Sequence, residues 1–381
     1  GAGLQGRRGP PLEPLKKGML LLNACGGFDA TILDVADDRG ISWEDILAGS
    51  CAALDRLGMK GAPREAFLEL VSSGWCDREV DRCDGMGIGL IFFGDPGFPS
   101  MLGDLCDPPL VLYLRGKALP PGERVAVVGT RKCTSYGSSC AFDLASMLAG
   151  AGVAVVSGGA WGIDGAAHRG SIASGGRTVA VMGTGVDIFY PSRHASLFRE
   201  ITEEGALLGE LPLGTPPRPW QFPRRNRLIA GLCSRCVVVE APERSGAVLT
   251  ARLALEAGRE VWAVPGRITD SVCRGSNALI SDGAMPLADI GEFAALVSGR
   301  QGELFPPIQG QGAPANFPLA PDEAEVLRIL GEKGDLTVDN IATEGKMSAA
   351  AVLRALGALS AYDLAVSSGP GRWSVRVRTR A

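Results

Sequence analysis

The feature that most constrains this chain is a series of short, unbroken apolar runs separated by stretches with helical periodicity. Val125–Val128 is one such run, and Ile163–Ser174 is one of the helical stretches. A strand with one wet face alternates polar and apolar residues, whereas an unbroken run fits a strand buried on both faces. Such strands belong to parallel sheets covered by helices, so the sequence predicts a doubly wound α/β sheet.

The predicted strands share this apolar character and fall within one continuous region. They are Gly89–Phe93, Leu110–Leu114, Val125–Val128, Val153–Val156, Thr178–Met182, Leu207–Leu211, Cys236–Glu240 and Val261–Val264. The helices predicted between them are Ser138–Ala149, Ile163–Ser174, Ala195–Glu204 and Ala247–Ala257. We therefore assign residues 85–298 to the sheet domain.

The flanking regions have different patterns. Residues 1–15 are predicted to be a flexible tail. Apolar residues recur at three- and four-residue steps within residues 16–84, which predicts a small helical domain. Residues 299–320 are rich in Pro, Gly and Gln and are interpreted as a linker. Residues 321–381 predict three helices followed by two strands, an order that suits a winged helix-turn-helix.

The net charge of the chain is −4, so a nucleic-acid site here has to be a local positive patch rather than a global field. Ten cysteines at irregular spacings do not form a disulfide framework and indicate a reducing compartment, so a cytoplasmic protein is expected. No run of about 18 apolar residues is found, so no membrane span is expected.

The loop after the strand Val125–Val128 contains Arg131 and Lys132 and precedes a helix. Ligands bind at the carboxyl ends of strands in such sheets, and a helix amino terminus favours phosphate. Arg131 is suited to gripping two phosphate oxygens at once. The alternative is a solvated arginine in an ordinary loop.

Two more glycine loops follow the next two strands. In the first, consecutive amides of Ser157, Gly158 and Gly159 are suited to an anion-binding nest. The second consists of Gly183, Thr184 and Gly185. Neither loop is a G-x-G-x-x-G or Walker A motif. The alternative is that both are turns requiring small residues.

The segment from Arg218 to Arg227 has the densest positive charge in the chain, with four arginines and no acidic residue. Trp220 and Phe222 lie among these arginines. Aromatic side chains stack bases at about 1–3 kcal/mol each while arginines follow the phosphates. Two prolines in this segment predict an extended conformation. The alternative is a solvated basic face.

Other polar residues give weaker signals. Ser245, Gly246 and Thr250 lie at a helix start and offer hydroxyls and amides, with functional and structural interpretations equally open. Of the two histidines, His168 is expected to be structural, and His194, in a polar loop, is expected to be solvated. The single C-x-x-C pair lacks the further ligands of a zinc site. No catalytic centre, metal or cofactor is predicted.

Together these motifs resemble the DNA-processing protein A (DprA/Smf) family. The stretches that carry the resemblance are Asp107–Gly116, Val125–Arg131, Val156–Asp164, Ala166–Gly170, Gly183–Gly185, Tyr190–Pro191, Phe222–Gly231, Arg244–Gly246, Thr250–Arg252, Val264–Gly266 and Asn277–Ile280. The resemblance implies an extended Rossmann-like domain, a start similar to a sterile-α-motif or helix-hairpin-helix, and a winged-helix end. It also implies a homodimer without catalytic activity. Such a protein binds and protects incoming single-stranded DNA in natural transformation and hands it to the recombinase RecA.

The resemblance also implies roles for individual residues. Arg131 would clamp phosphate, Phe222 would stack a base, and the arginines after it would supply charge. The expected DNA contacts are Arg131, Lys132, Ser157, Gly158, Gly159, Phe222, Arg224, Arg225, Asn226, Arg227, Ser245, Gly246 and Thr250. Further candidates are Trp161, Gly183, Thr184, Gly185, Arg218 and Trp220. The family often has arginine where this chain has Trp161, so one cationic contact is either lost or replaced by stacking.

Two other functions compete with DNA binding. Glycine-rich Rossmann-like domains also occur in nucleotide-processing hydrolases of the lysine-decarboxylase-like type, and a protein scaffold with a vestigial site is the third hypothesis. The arginine-aromatic segment favours DNA, because a mononucleotide pocket does not need so many arginines. Salt dependence of oligonucleotide binding separates the three.

Overall fold

The computed structural model describes residues 12–299, 320–361, 364–369 and 371–375. These residues divide into two compact units, one containing the described residues up to 299 and the other those from 320 onward. Most of the predicted tail and of the predicted linker lies outside the described residues. The last two residues of that predicted tail, Pro14 and Leu15, begin a helix.

The first unit alternates strands and helices after an all-helical start. Its helices are α1 (Pro14–Cys25), α2 (Thr31–Asp38), α3 (Trp43–Leu47), α4 (Cys51–Arg56), α5 (Ala62–Ser72), α6 (Trp75–Met86), α7 (Ser100–Gly103), α8 (Ser135–Gly150), α9 (Ile163–Ala173), α10 (Ala195–Glu204), α11 (Gln221–Gly231), α12 (Gly246–Glu256), α13 (Arg274–Ser281) and α14 (Ile290–Val297). Its strands are β1 (Ile88–Phe92), β2 (Val111–Gly116), β3 (Arg124–Val128), β4 (Ala154–Ser157), β5 (Thr178–Val181), β6 (Ala206–Gly209), β7 (Arg235–Val238), β8 (Glu260–Ala263) and β9 (Met285–Pro286).

The strands form one sheet in the order β1-β2-β6-β5-β4-β3-β7-β8-β9. Every neighbouring pair from β6 to β9 is parallel. The chain moves outward from β3 in one direction and later continues on the other side of β3, at β7. This Rossmann-like topology places the switch point between β3 and β7, where open α/β sheets form their ligand crevice.

Burial on both faces explains the unbroken apolar runs. Val125 and Val127 of β3 pack in one hydrophobic cluster with residues of α8, α9 and α14. Ala126 and Val128 pack in another, with residues of α11 and α12. Successive side chains of a strand point to opposite faces, so each face needs apolar residues of its own.

At the edge formed by β1 and β2 the strand direction alternates, because β2 pairs antiparallel with both β6 and β1. The sequence predicted only a doubly wound parallel arrangement, because an apolar run carries no information about strand direction. Helices α1 to α6 pack against this edge. One cluster joins Met19 and Phe67 of the helices with Tyr113 of β2 and Phe198 of α10.

The second unit contains three helices and three short strands among its described residues. They are α15 (Pro321–Lys333), β10 (Leu336–Thr337), α16 (Val338–Gly345), α17 (Ala349–Ala361), β11 (Ala365–Gly369) and β12 (Arg372–Val375). The strands lie in the order β10-β12-β11 and pair antiparallel. Val326, Ile341 and Leu356 form part of its core.

Each strand predicted in the first unit is found, with its ends shifted by at most two residues. The prediction was wrong for the arginine-aromatic segment, because residues from Gln221 onward form α11 rather than an extended stretch. Pro223 lies in the first turn, where a helix tolerates proline because the missing N–H has no intrahelical partner. Among the described residues, no helix combines the length and apolar character needed to cross a bilayer.

Candidate nucleic-acid interface

The loop after β3 presents two cations to solvent. Arg131 and Lys132 are exposed, and neither side chain has a hydrogen bond or ion pair with any residue that the structure describes. Glu240, at the end of β7, holds the loop in place. Its buried carboxylate accepts hydrogen bonds from the backbone N–H of Thr134 at 2.9 Å and from the Thr134 hydroxyl, and its carbonyl accepts one from the Thr130 N–H at 2.7 Å.

Phe222 lies directly against this loop. The guanidinium carbon of Arg131 is 5.8 Å from the centroid of the Phe222 ring, within cation–π range. A Cβ added at Gly183 would come within 2.8 Å of the same ring, so that glycine is what lets the ring approach the backbone. The Tyr190 ring is 5.5 Å from Phe222. The structure thus brings together candidates from three separate sequence motifs.

The loop after β4 packs against the loop after β3. Gly162 has φ +77°, and a Cβ there would collide with the backbone of Thr130 and Arg131. The neighbouring Trp161 is 41% exposed, with its ring centroid 4.3 Å from that of His194. Trp161 therefore offers a ring face beside the cationic loop.

Arg218 and Trp220 precede α11 and are both exposed. The backbone N–H of Arg218 donates to the Gln221 side chain at 2.7 Å, which fixes the entry into the helix. We call the solvent-facing set of side chains the rim. It consists of Arg131, Lys132, Trp161, Arg218, Trp220 and Phe222.

The expected amide cradle at Ser157, Gly158 and Gly159 is occupied by the chain itself. One oxygen of Asp164 accepts hydrogen bonds from the N–H groups of Gly158, at 3.2 Å, and Ala160, at 3.3 Å. The Ser157 hydroxyl is fully buried and donates to the Val127 carbonyl at 2.7 Å. The Gly158 amide and the Ser157 hydroxyl are therefore not free for a DNA phosphate in this structure, whereas the expected contact at Gly159 stays a prediction.

Arg225 lies behind Phe222 rather than in solvent. Its guanidinium donates to the carbonyls of Gly158, at 2.9 Å, and Val181. Burial lowers the pKa of Arg225 to about 10, while the nearby Asp164 carboxylate opposes that shift. Burial also raises the pKa of Asp164, and Arg225 opposes that rise. The predicted phosphate contact at Arg225 is therefore corrected to an internal tie between the loops after β4 and β5.

Arg227 is also buried and ion-paired. One of its terminal nitrogens donates to both Glu210 oxygens, at 2.6 and 2.8 Å, and its Nε lies 2.9 Å from an Asp107 oxygen. The structure contradicts a DNA-facing role for Arg227, because its tip is used inside the fold. Arg224 is half-buried, 3.7 Å from the same Glu210, and keeps part of its side chain at the surface.

The polar candidates around α12 also bond internally. Asn226 donates to the Gly246 carbonyl at 3.1 Å and accepts from Arg225 at 3.3 Å. The Ser245 hydroxyl caps α12 by accepting from the Val248 N–H. The Thr250 hydroxyl is buried and donates to the Gly246 carbonyl at 2.9 Å. Asn226 and Thr250 are therefore corrected from DNA contacts to helix-fixing groups. The expected contacts at Ser245, which is half-buried, and at Gly246, whose backbone is exposed, stay predictions.

The loop after β5 is buried as well. The Thr184 hydroxyl donates to the Ile188 carbonyl at 2.8 Å, and the Gly185 N–H donates to the Thr215 carbonyl at 3.1 Å. Thr184 and Gly185 therefore shape the loop instead of facing a ligand. Gly183 keeps the role described above, as the floor beneath Phe222.

Five charged or polar residues form a second set, which we call the buried layer. It consists of Asp164, Glu210, Arg225, Asn226 and Arg227, each less than a tenth exposed. The sequence motifs did not identify Asp164, Glu210 and Glu240 as residues that shape the site. The sequence did contain a signal for them, because each is a single acidic residue placed just after an apolar strand or inside a glycine loop. A charge buried there is costly unless it has a partner, so such a residue is expected to bond to a neighbouring group.

Both histidines and both thiols of the C-x-x-C pair are buried, so the expectation of a solvated His194 was wrong. The described residues hold no catalytic arrangement around them. His168 and His194 both have pKa values lowered by burial, His168 to about 3. Burial raises the pKa of both the Cys233 and the Cys236 thiol, that of Cys236 to about 12, so both thiols stay protonated. No cluster of three metal-ligating side chains is present in the described part of the chain.

Comparison with known proteins decides the family. The family model described as DNA recombination-mediator protein A matches residues 89–298, more than half of the chain. The chain belongs to the DNA recombination-mediator protein A family. A Mycobacterium tuberculosis protein named DprA is 42% identical over 271 residues, which cover 70% of this chain and 69% of that protein. The DNA processing protein DprA of Bacillus subtilis is 40% identical over 200 residues, covering 52% and 67%.

Two solved structures of the recombination-mediator family resemble this fold. The X-ray structure of DNA processing protein A from Streptococcus pneumoniae has a TM-score of 0.64 and 32% identity, covering 74% of this chain and 96% of that one. The Helicobacter pylori protein, described by its single-stranded DNA binding mode, has a TM-score of 0.51 and 28% identity, covering 56% and 96%. These matches confirm the resemblance and the Rossmann-like fold expected from the sequence.

Proposed function

We propose that this protein binds single-stranded DNA along the rim, without catalysing a reaction. The observation that carries the proposal is the contact between Arg131 and Phe222, which lie far apart in sequence and meet at the carboxyl edge of the sheet. Single strands expose base faces and phosphates together, and they are bound by aromatic rings combined with cations. The rim supplies both in an otherwise acidic molecule.

The biological role that we propose follows from family membership and from the single-stranded DNA binding of the Helicobacter pylori relative. The protein acts in the bacterial cytoplasm as a homodimer. It protects incoming single-stranded DNA during natural transformation and loads the RecA recombinase onto it. The C-terminal unit, which we propose to be a winged helix, serves contacts other than the main strand-binding surface.

The competing hydrolase function is disfavoured by Asp164. A Rossmann-like nucleotide enzyme needs free loop amides for phosphate, and here the Gly158 and Ala160 N–H groups already bond a carboxylate. A phosphate entering that site would meet a negative charge. The lack of a catalytic arrangement in the described residues leaves such an enzyme without an obvious general base.

The test is fluorescence anisotropy with an oligothymidylate, a duplex of equal length, and AMP as competitor, at several salt concentrations. Four cations, Arg131, Lys132, Arg218 and Arg224, have at least part of their side chains at the surface of the proposed site. Neutralising about four phosphates of a single strand gives a slope of log K against log salt of about −3. We expect that slope, a preference for the single strand and no competition by AMP. A slope near zero, or hydrolysis of AMP, would overturn the proposal.

A further inference from the structure

A cleft opens between the end of α1 and the connection from β6 to α11. Its volume is about 410 Å³, within the range of about 300–1,000 Å³ typical of small-ligand sites. Its lining includes Asn23, Cys25, Gly26, Trp220 and Arg224, and we call it the Trp220 cleft. None of the DNA motifs in the sequence pointed to its α1 side.

The cleft is built into the fold. The Asn23 amide donates to the Glu210 carbonyl at 2.8 Å, which ties the end of α1 to the end of β6. Gly26 follows with φ +73°, a conformation that side chains disfavour, and a Cβ there would meet nothing within 4 Å. The backbone at the end of α1 therefore borders the cleft without filling it.

The charges around the cleft suit a polyanion at its mouth. Glu210 is the acidic residue of its lining, and its carboxylate is already bonded by Arg227 and lies 3.7 Å from Arg224. Arg218 and Arg224 both line the cleft. An anion outside would meet these two guanidiniums rather than an unpaired carboxylate.

Trp220 connects the cleft to the rim. It is 55% exposed and stands two residues before Phe222, at the N-cap of α11, where its backbone angles, φ −71° and ψ −19°, are already helical. Residues two apart on a helix are turned by about 200°, so the two rings leave this turn on opposite sides. The Phe222 ring lies on the side of Arg131, and the Trp220 ring lies on the side of the cleft. The partial positive charge of the α11 amino terminus lies between them and favours a phosphate there.

We propose that the Trp220 cleft binds a second nucleobase of the same strand, next to the base that stacks on Phe222. The inference rests on the proposed function, because it needs a bound single strand. The phosphate joining the two nucleotides passes the amino terminus of α11. Arg218 and Arg224 hold the backbone on the cleft side, and Trp220 stacks the second base.

The test uses otherwise abasic oligonucleotides that carry no thymine, one thymine or two adjacent thymines. In the wild-type protein each thymine strengthens binding by about thirty-fold, the middle of the range for one stacked base. In Trp220→Ala the second thymine adds no more than a statistical factor of about two, because the second stacking partner is gone. Trp220→Phe keeps the second increment. Leu15→Ala, at the far end of α1, leaves both increments unchanged.

A second measurement follows Cys25, which lines the cleft and has a free thiol. The two-thymine probe slows its alkylation at least about five-fold, since access controls thiol modification along with pKa. Cys51 is exposed on α4, is not among the lining residues, and serves as the internal reference. The cleft proposal is overturned if the second thymine strengthens binding equally in wild type and in Trp220→Ala. It is also overturned if Cys25 is alkylated at the same rate when the two-thymine probe is bound. Either result leaves binding at the rim intact. If intact oligothymidylate does not bind at all, the proposed function fails and the cleft proposal fails with it.

Discussion

The rim and the buried layer contain the same kinds of residue but use them differently. Arg131 and Arg225 both lie about 6 Å from the Phe222 ring, one in solvent and the other buried against carbonyls. Arg218 is exposed, while Arg227, nine residues later, is locked onto Glu210. The comparison teaches that a count of cations in a segment overstates the charge offered to DNA. Half of the four arginines in that segment stabilise the surface on which the others act.

Replacing Arg227 separates the two sets most strongly. In Arg227→Met the Glu210 carboxylate stays buried and keeps only the more distant Arg224, so we expect unfolding to cost about 3–5 kcal/mol less than in wild type. Arg131→Met, on the rim, should change the free energy of unfolding by no more than about 0.5 kcal/mol. Urea unfolding followed by circular dichroism measures both variants.

The double variant Arg227→Met/Glu210→Leu is the control, because it removes both charges and should recover part of the loss. Equal stability of Arg227→Met and Arg131→Met would erase the distinction between rim and buried layer.

Acid should weaken the interior beneath the rim. The Thr178 hydroxyl donates its hydrogen to the Val155 carbonyl, so Nδ1 of His168 must donate to that hydroxyl at 2.7 Å. Nε2 of His168 is buried without a partner in the described residues, and burial lowers the pKa to about 3. In the unfolded chain the His168 ring binds a second proton near pH 6.5, whereas in the folded chain it does so only near pH 3. The contribution of neutral His168 to the free energy of unfolding is therefore complete above pH 6.5 and is lost as the pH falls toward 3.

We expect protonation linked to His168 to lower the free energy of unfolding by roughly 2–3 kcal/mol when the pH falls from 7.5 to 4.5. The measurement compares urea unfolding of wild type and His168→Gln at both pH values. Asp164, whose raised pKa has the opposite sign, is common to both proteins and cancels. An identical pH dependence in the two proteins would show that His168 does not stay neutral in the fold.

Removing the ring of Phe222 should affect binding more than folding. Phe222→Ala loses one stacked base, so we expect affinity for oligothymidylate to fall by about 1–3 kcal/mol. Phe222→Tyr retains the ring and should bind within about two-fold of wild type. Anisotropy titration measures both, and unaltered binding by the alanine variant would remove the ring from the interface.

The sequence predicted the sheet well because burial on both faces leaves a pattern that needs no tertiary knowledge. It failed at α11, where the run Pro223-Arg224-Arg225-Asn226-Arg227 has no apolar period, since the helix buries charged side chains against partners distant in sequence. Arg131 and Phe222 were each expected as DNA contacts, one from its strand-end loop and both from the resemblance, and the structure places them within cation–π distance of each other. The sequence did not distinguish the arginines with buried guanidinium groups from the exposed ones. Glu210 comes close to Arg227, and Asp164 comes close to Arg225, only in the folded chain.

The central claim is that the exposed cations of the rim, together with the half-buried Arg224, grip the phosphates, and that the buried Arg225 and Arg227 do not. The most direct test is the salt dependence of oligothymidylate binding by Arg131→Ala/Lys132→Ala. Losing two phosphate contacts should reduce the slope of log K against log salt from about −3 to about −1.5. A slope that stays near −3 in this folded variant would contradict the account and transfer the phosphate contacts to another surface.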